Sequence, residues 1–373
     1  MSGRCLRVDF STGSLYLVCE ERMVISGTDN IGRVLAESCP SHALLSIASR
    51  ARLWQIVQAS VATVILLCTR NCSEWDYLWR LMFGIADAPF QYRMLGPLAI
   101  RSLTILTPLS VKSAALVYLG FCYFWLFVFV GSYCERGVLG VALAAFGLWF
   151  NEAPLCHISD VLSVVFWIGL CHCILSRKYA AWFFLFAVSI TNHENALLLL
   201  PAAFLVWRRD NFWRAAALVA SSAVLWAAIK YGLAWALNCH GVGYDQVSRN
   251  LIHWPKGLLA FGGLWVFALA GFRKLDYDRK MLLVTVPVFV VVMFRYGCLD
   301  ELRIYSPLLA VLLPAMLAGL GAKSETRGSY RKPGAGVNFA PCLSSKSLGF
   351  LVALLSRSFF HRRWPCRESG CAY

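Results

Sequence analysis

An all-α, polytopic membrane protein of about ten spans is the fold class that this sequence predicts. Three observations lead there. First, the 373 residues are 59% hydrophobic and 15% charged, whereas soluble domains carry about a quarter charged residues. A chain this apolar cannot clothe a water-facing surface, so lipid must be its solvent. Second, about ten apolar segments alternate with polar connectors. Third, the charges sort between those connectors. Nearly every second one is rich in Lys and Arg, and the others carry Glu74, Asp76, Asp87, Glu152, Asp160, Glu194, Asp245, Asp300 and Glu301. Basic cytoplasmic loops produce this alternation, and it leaves the acids together on the opposite face.

The bulk numbers exclude several classes. The net charge is +15, but the basic residues stand mostly at segment ends. They therefore read as topology and attraction to anionic lipid, with no nucleic-acid partner. Fifteen Cys are scattered without a C-x-x-C pair, so neither a zinc site nor a disulfide framework is signalled. Cys171-His172-Cys173 resembles a ligand cluster, yet residues i and i+2 diverge on a helix.

Taken in order, residues 1–50 are polar and mixed, with no evident cleavable signal peptide. They form a small cytoplasmic cap or stay disordered, and Met23 is an alternative start. The membrane domain covers residues 51–322. Segment one is Leu53 to Cys68, and Arg50 and Arg52 before it place the N-terminus inside. A long outer loop follows. It ends in Gly96 to Ser110, which Arg101 and two prolines interrupt, and which is expected to lie in the interface or re-enter. Segments two to four are Ser113 to Tyr133, Val138 to Phe150 and Val161 to Leu175. Segments five and six, Tyr179 to Ile190 and Ala196 to Trp207, flank the turn Thr191-Asn192-His193-Glu194-Asn195. Segment seven is Ala215 to Leu237, and segment eight is Gly257 to Phe272. Segments nine and ten are Met281 to Phe294 and Ile304 to Leu320. The even count returns the C-terminus to the cytoplasm, and residues 323–373 form a basic tail. Several segments fall short of the roughly 20 residues of an average span. Short apolar pairs broken by polar residues often mark a site within a membrane.

Chemistry concentrates in the acidic connectors. Glu74 and Asp76, at i and i+2 beside Trp75, Tyr77, Trp79 and Phe83, can grip a divalent cation such as Mg2+ or Mn2+, or accept a proton from a sugar hydroxyl. An interfacial aromatic belt with solvated acids explains the same residues. Asp87-Ala88-Pro89-Phe90-Gln91-Tyr92-Arg93 brings an acid and an arginine to an outer helix start. Arg93 there either neutralises a phosphate or pairs with a buried carboxylate. His193 and Glu194 either line a cavity or cap a helical hairpin. Glu301 and Arg303 hold each other or a polar head group, and Tyr305 is expected as an interface anchor. Asp160 opens a span, where the helix dipole favours an acid whatever the function.

The outer acidic pair followed by Asp-Ala-Pro-Phe-Gln-Tyr-Arg-Met-Leu-Gly-Pro resembles a group of bacterial multi-span proteins. These are similar to the GT-C superfamily of glycosyltransferases, which use lipid-linked sugars. Asp160, the Thr191 to Asn195 turn and Glu301 to Arg303 fit the same pattern, over about Leu53 to Leu320. The resemblance implies an inverting transferase of the bacterial inner membrane, with a polyprenyl-phosphate sugar donor and an extracytoplasmic acceptor. Its implied catalytic set is Asp76, Glu74 and Asp87. Arg93 and Arg303, with Glu301, would serve the donor phosphate or a structural ion pair. His193, Glu194, Asp160 and Tyr305 would line the cavity. The chain departs from the pattern at His193, where related turns carry Arg beside Glu, and in lacking a large soluble domain after the spans. Two other classes compete: a transporter or flippase, which is expected to show repeated halves, and a non-catalytic membrane assembly subunit.

Overall fold

Every described element from Ser41 onward is helical, as the apolar segments require once their backbone groups must be satisfied without water. The computed structural model describes residues 6–9, 14–17, 41–69, 93–134, 137–151, 158–236 and 246–321. The chain divides into two compact units, Met1–Ser324 and Glu325–Tyr373. All of the second lies outside the described residues, as does most of the amino-terminal segment. Within the latter, β1 (Leu6–Asp9) and β2 (Ser14–Leu17) pair antiparallel, with Leu6 opposite Leu17.

The helices follow the apolar segments closely. They are α1 (Ser41–Thr69), α2 (Leu95–Leu106), α3 (Val111–Tyr133), α4 (Gly137–Phe150), α5 (Ile158–Leu175) and α6 (Tyr179–Asn192). A 3-10 turn, Glu194–Leu199, leads into α7 (Leu200–Trp207), and α8 is Phe212–Ala236. Then come α9 (Val247–His253), a 3-10 stretch Trp254–Gly263, α10 (Trp265–Gly271), α11 (Tyr277–Leu282) and α12 (Thr285–Tyr296). The 3-10 segment Leu302–Leu308 runs into α13 (Leu309–Gly319). Local chemistry sets several starts. The Ser110 hydroxyl accepts from the Ser113 N–H, Asn211 accepts from the Arg214 N–H, and Asp276 accepts from the Arg279 N–H.

The count of ten spans is not confirmed by helix length. Among the described residues, five helices are long and apolar enough to cross a membrane: Arg52–Thr69, Val111–Tyr133, Ile158–Leu175, Phe212–Leu233 and Leu302–Gly319. A sixth appears if the bent pair Val247–Gly263 and Trp265–Lys274 forms one span. At 14 residues each, α4 and α6 reach only about 21 Å at 1.5 Å per residue, against a hydrocarbon core of about 30 Å. Segment nine is interrupted by the Leu283–Val284 turn between α11 and α12.

Burial separates central from peripheral helices. Of the membrane-length windows, 72% of Leu302–Gly319 and 67% of α5 are buried inside the protein, against 11% of α8. Helix α8 carries exposed Trp213 near one end and Tyr231 and Trp235 near the other. Trp213 and Trp235 are separated by about 33 Å of helix, the spacing expected of two interfacial aromatic belts. Helices α10 and α13 touch backbone to backbone. A Cβ on Gly271 would overlap the Ala315 carbonyl, and one on Gly319 would overlap that of Phe267. Such close approach is typical of packing in lipid, where van der Waals contact replaces the hydrophobic drive.

The break before α10 is built, not frayed. Phe261, Gly262 and Gly263 all have positive φ (57°, 61° and 77°), and the two arms bend by 71°. Buried Asn151, at the end of α4, accepts the Phe261 N–H at 2.6 Å and so satisfies a backbone donor that the bend releases.

Candidate functional site

Asp160, in the first turn of α5, is the hub of a buried ion cluster that four parts of the chain supply. Arg303, from the 3-10 segment before α13, donates through Nη1 to Asp160 Oδ2 at 3.0 Å, and through Nη2 to Glu301 Oε2 at 2.6 Å. Arg93, just ahead of α2, places Nη1 3.6 Å from Asp160 Oδ1 and Nη2 4.0 Å from Glu194 Oε1. His193 sits between two of the acids. Its Nε2 is 4.0 Å from Asp160 Oδ1 and its Nδ1 is 3.7 Å from Glu194 Oε2. The set is thus two guanidinium groups, three carboxylates and an imidazole. Arg93 and Asp160 are buried, while Glu194 and Glu301 keep about a third of their side chains exposed.

Neighbouring polar residues fix this geometry. The Met94 N–H donates to the Thr191 carbonyl, tying the chain before α2 to the end of α6. Asn192 Nδ2 donates to the Ser159 carbonyl at 2.8 Å, which ties α6 to the start of α5. Asn195 Oδ1 accepts from Ser163 Oγ (3.0 Å) and Trp167 Nε1 (3.1 Å), locking the His193–Glu194 turn against α5. His193 Nδ1 accepts the Asn195 N–H at 3.3 Å, so that nitrogen carries no proton. Burial, reinforced by Arg93, pushes the imidazole down to about 4, and at neutral pH it is uncharged.

A second ionic site lies at the other end of α5, about 27 Å away along its 18 residues. There Arg177 binds Asp210 and Asp278, each at 2.8 Å, and Arg209 lies 3.8 Å from Asp278. The two ionic sites therefore cap opposite ends of a membrane-length helix. Glu194 and Glu301 share one end, and Asp210 and Asp278 share the other.

The remaining sequence-predicted residues fall as follows. Glu74, Asp76 and Asp87, with the divalent-cation contact expected of the first two, lie outside the described residues. Tyr305 is buried. Its hydroxyl donates to the Leu299 carbonyl at 3.2 Å and its ring lies beside Phe289, so it sits in the core and not at an interface. Asp300 faces Arg249 in a two-pronged pair (3.1 and 2.9 Å) that holds its carboxyl below the usual range. Among the described residues, no group of His, Cys, Asp and Glu is placed to hold a metal.

Beside the cluster, Ile190, Glu194, Lys230 and Leu233 line a narrow groove between α6 and α8, with room for about one water-sized group. Sequence reasoning passed over Lys230. Its signal is a lone lysine deep in an apolar 25-residue helix, next to Tyr231. Comparison with protein-family models, with curated proteins and with solved structures finds no match.

Proposed function

We propose that the protein is an integral membrane glycosyltransferase of GT-C type. It moves a sugar from a polyprenyl-phosphate donor to an extracytoplasmic glycan or lipid, in the bacterial inner membrane, with both termini cytoplasmic. One observation carries this reading: Arg93 and Arg303 converge on Asp160 at a single end of the helical bundle, beside a turn that brings Glu194 and His193. Two guanidinium groups held in a low-dielectric site are suited to offset charge on a departing phosphate. Glu74, Asp76 and Asp87 belong to the connector that precedes Arg93 in the sequence, and the reading assigns the carboxylate base to that connector. In the step proposed, a carboxylate takes the acceptor hydroxyl proton. The acceptor oxygen bonds to the anomeric carbon with inversion, and the bond from that carbon to the phosphate oxygen breaks.

The test is transfer by purified full-length protein, supplied with a panel of polyprenyl-phosphate sugars. Arg303→Lys keeps the charge but loses the two-pronged geometry, and it should lower transfer by about 10²-fold or more. Asp76→Ala, Asp87→Ala and Glu301→Ala should abolish transfer while membrane expression persists. Full activity in all four variants, or no transfer from any donor, would reject the assignment.

The broken helix at Phe261–Gly263 favours a second reading, a transporter or flippase, because discontinuous helices line many transport sites. Movement of labelled lipid between leaflets with the sugar donor left intact would select it.

A further inference from the structure

The arm ahead of the break, Val247–Leu259, carries three separate faces, and each repeats after seven residues, or about two helical turns. Asn250 and Gly257 form the inner face. Asn250 Nδ2 donates to the carbonyls of Phe294 (2.8 Å) and Gly297 (2.6 Å), its Oδ1 accepts the Leu299 N–H at 2.9 Å, and Gly257 lies against the Tyr305 hydroxyl. Arg249 and Lys256 form a cationic face. Arg249 is held by Asp300, whereas Lys256 is exposed and has no carboxylate within ion-pair distance among the described residues. Leu251 with Leu258, and Ile252 with Leu259, form an apolar face that is 48 to 73% exposed, and Trp254 beside it is half exposed.

Direction decides what such an apolar face meets. Helix α10 touches α13 backbone to backbone, and α13 belongs to the buried, membrane-length stretch Leu302–Gly319, so α10 runs across the bilayer. The arm is bent by 71° from α10. It is about 22 Å long, and at that angle it advances only about 7 Å along α10, against a hydrocarbon core of about 30 Å. Its inner face holds it at the end of the bundle where Glu301 and Arg303 lie. A helix nearly in the membrane plane, with apolar side chains on one face and cations on another, suits the boundary between headgroups and acyl chains. Leu251, Ile252, Leu258 and Leu259 enter the acyl region there, and Lys256 meets lipid phosphate. We infer that Val247–Leu259 is an in-plane element that docks on the phospholipid surface at the ion-cluster end, and is not half of a sixth span. This goes beyond the proposed transferase activity and does not depend on it.

The experiment measures depth in full-length protein reconstituted into phosphatidylcholine–phosphatidylglycerol vesicles. A bimane fluorophore is attached at one introduced cysteine, and the signal of the parent protein is subtracted. Quenching is compared between lipids that carry a nitroxide near the headgroup and lipids that carry it deep in the acyl chain. Positions 252 and 259, as Ile252→Cys and Leu259→Cys, are about 13 Å apart along the arm. Both should be quenched more strongly by the shallow nitroxide, with depths that differ by about 4 Å, whereas half of a span would separate them by about 12 Å. A difference above about 8 Å would overturn the inference, since it exceeds what the bend allows. So would stronger quenching by the deep nitroxide. Absence of quenching by either lipid would also overturn it, because protein would then cover the face. Leu251→Cys and Leu258→Cys give a second pair on the same face, read by the same criteria, should a variant of the first pair fail to fold.

Discussion

Arg303 and Asp160, separated by 143 residues, meet through a 3.0 Å hydrogen bond that joins the start of α5 to the segment feeding the last helix. Both side chains are largely buried, so losing one partner leaves the other charge desolvated. Asp160→Asn and Arg303→Gln should each lower stability by about 3–5 kcal/mol. The double variant should lose less than the sum, because neither charge is then left exposed to the other's absence. Unfolding midpoints in mixed micelles, read as a double-mutant cycle, measure the coupling. A coupling near zero would mean that the bond does not hold these segments together.

At the opposite end, Arg177 adopts φ 55°, a left-handed conformation that L side chains resist. What holds it there is a set of four bonds: to Asp210 and Asp278, and from Nη1 to the carbonyls of Ile174 and Leu175 at the end of α5. Arg177→Gly loses the ion pairs and relieves the backbone, whereas Arg177→Ala loses the pairs and keeps the strain. Alanine should therefore be worse than glycine by about 1 kcal/mol, seen as the lower melting temperature.

The break before α10 offers a matched pair of glycines. A Cβ on Gly262 would lie 2.9 Å from the Phe146 ring and 3.1 Å from Phe150, at φ +61°. One on Gly263 meets nothing within 4 Å, at φ +77°. Gly263→Ala should cost about 1–2 kcal/mol from backbone strain alone. Gly262→Ala should cost clearly more, since rigid aromatic rings must also move. Equal losses would show that the rings do not define the bend.

His193 gives the cluster a pH dependence. Its folded value of about 4 lies below the roughly 6.5 of an unfolded chain, so as pH falls the unfolded state takes up the proton first. Stability attributable to this residue is complete above about 6.5 and is lost progressively down to about 4, with a limiting slope of about 1.4 kcal/mol per pH unit. His193→Gln should flatten stability against pH across that window. An unchanged slope would place the imidazole in contact with solvent.

Much of the helical pattern was legible from hydropathy. The segments expected at Ser113 to Tyr133 and Tyr179 to Ile190 match α3 and α6 to within two residues at each end. Crossing number was not legible, because an apolar run announces burial and not length across lipid. Segment eight reads as continuous, although Phe261–Gly263 turns it by 71°. Short-range pairs such as Glu301 with Arg303 could be read from spacing alone. The convergence of Arg93, Asp160 and Glu194 could not, because it depends on how α2, α5 and α6 pack. Asn151 and Asn195 gave no periodic signal. Their importance lies in backbone and indole donors that only the fold brings to them.

The most direct measurement asks whether the two ends of α5 lie on opposite sides of a membrane. Arg208→Cys and Lys256→Cys change exposed positions. Each can be treated in sealed membrane vesicles of known orientation with a membrane-impermeant thiol reagent, and read over the labelling of the parent chain. Position 208 should react only from the cytoplasmic side and position 256 only from the other. Labelling of both from one side would contradict the arrangement on which the ion cluster's proposed role depends.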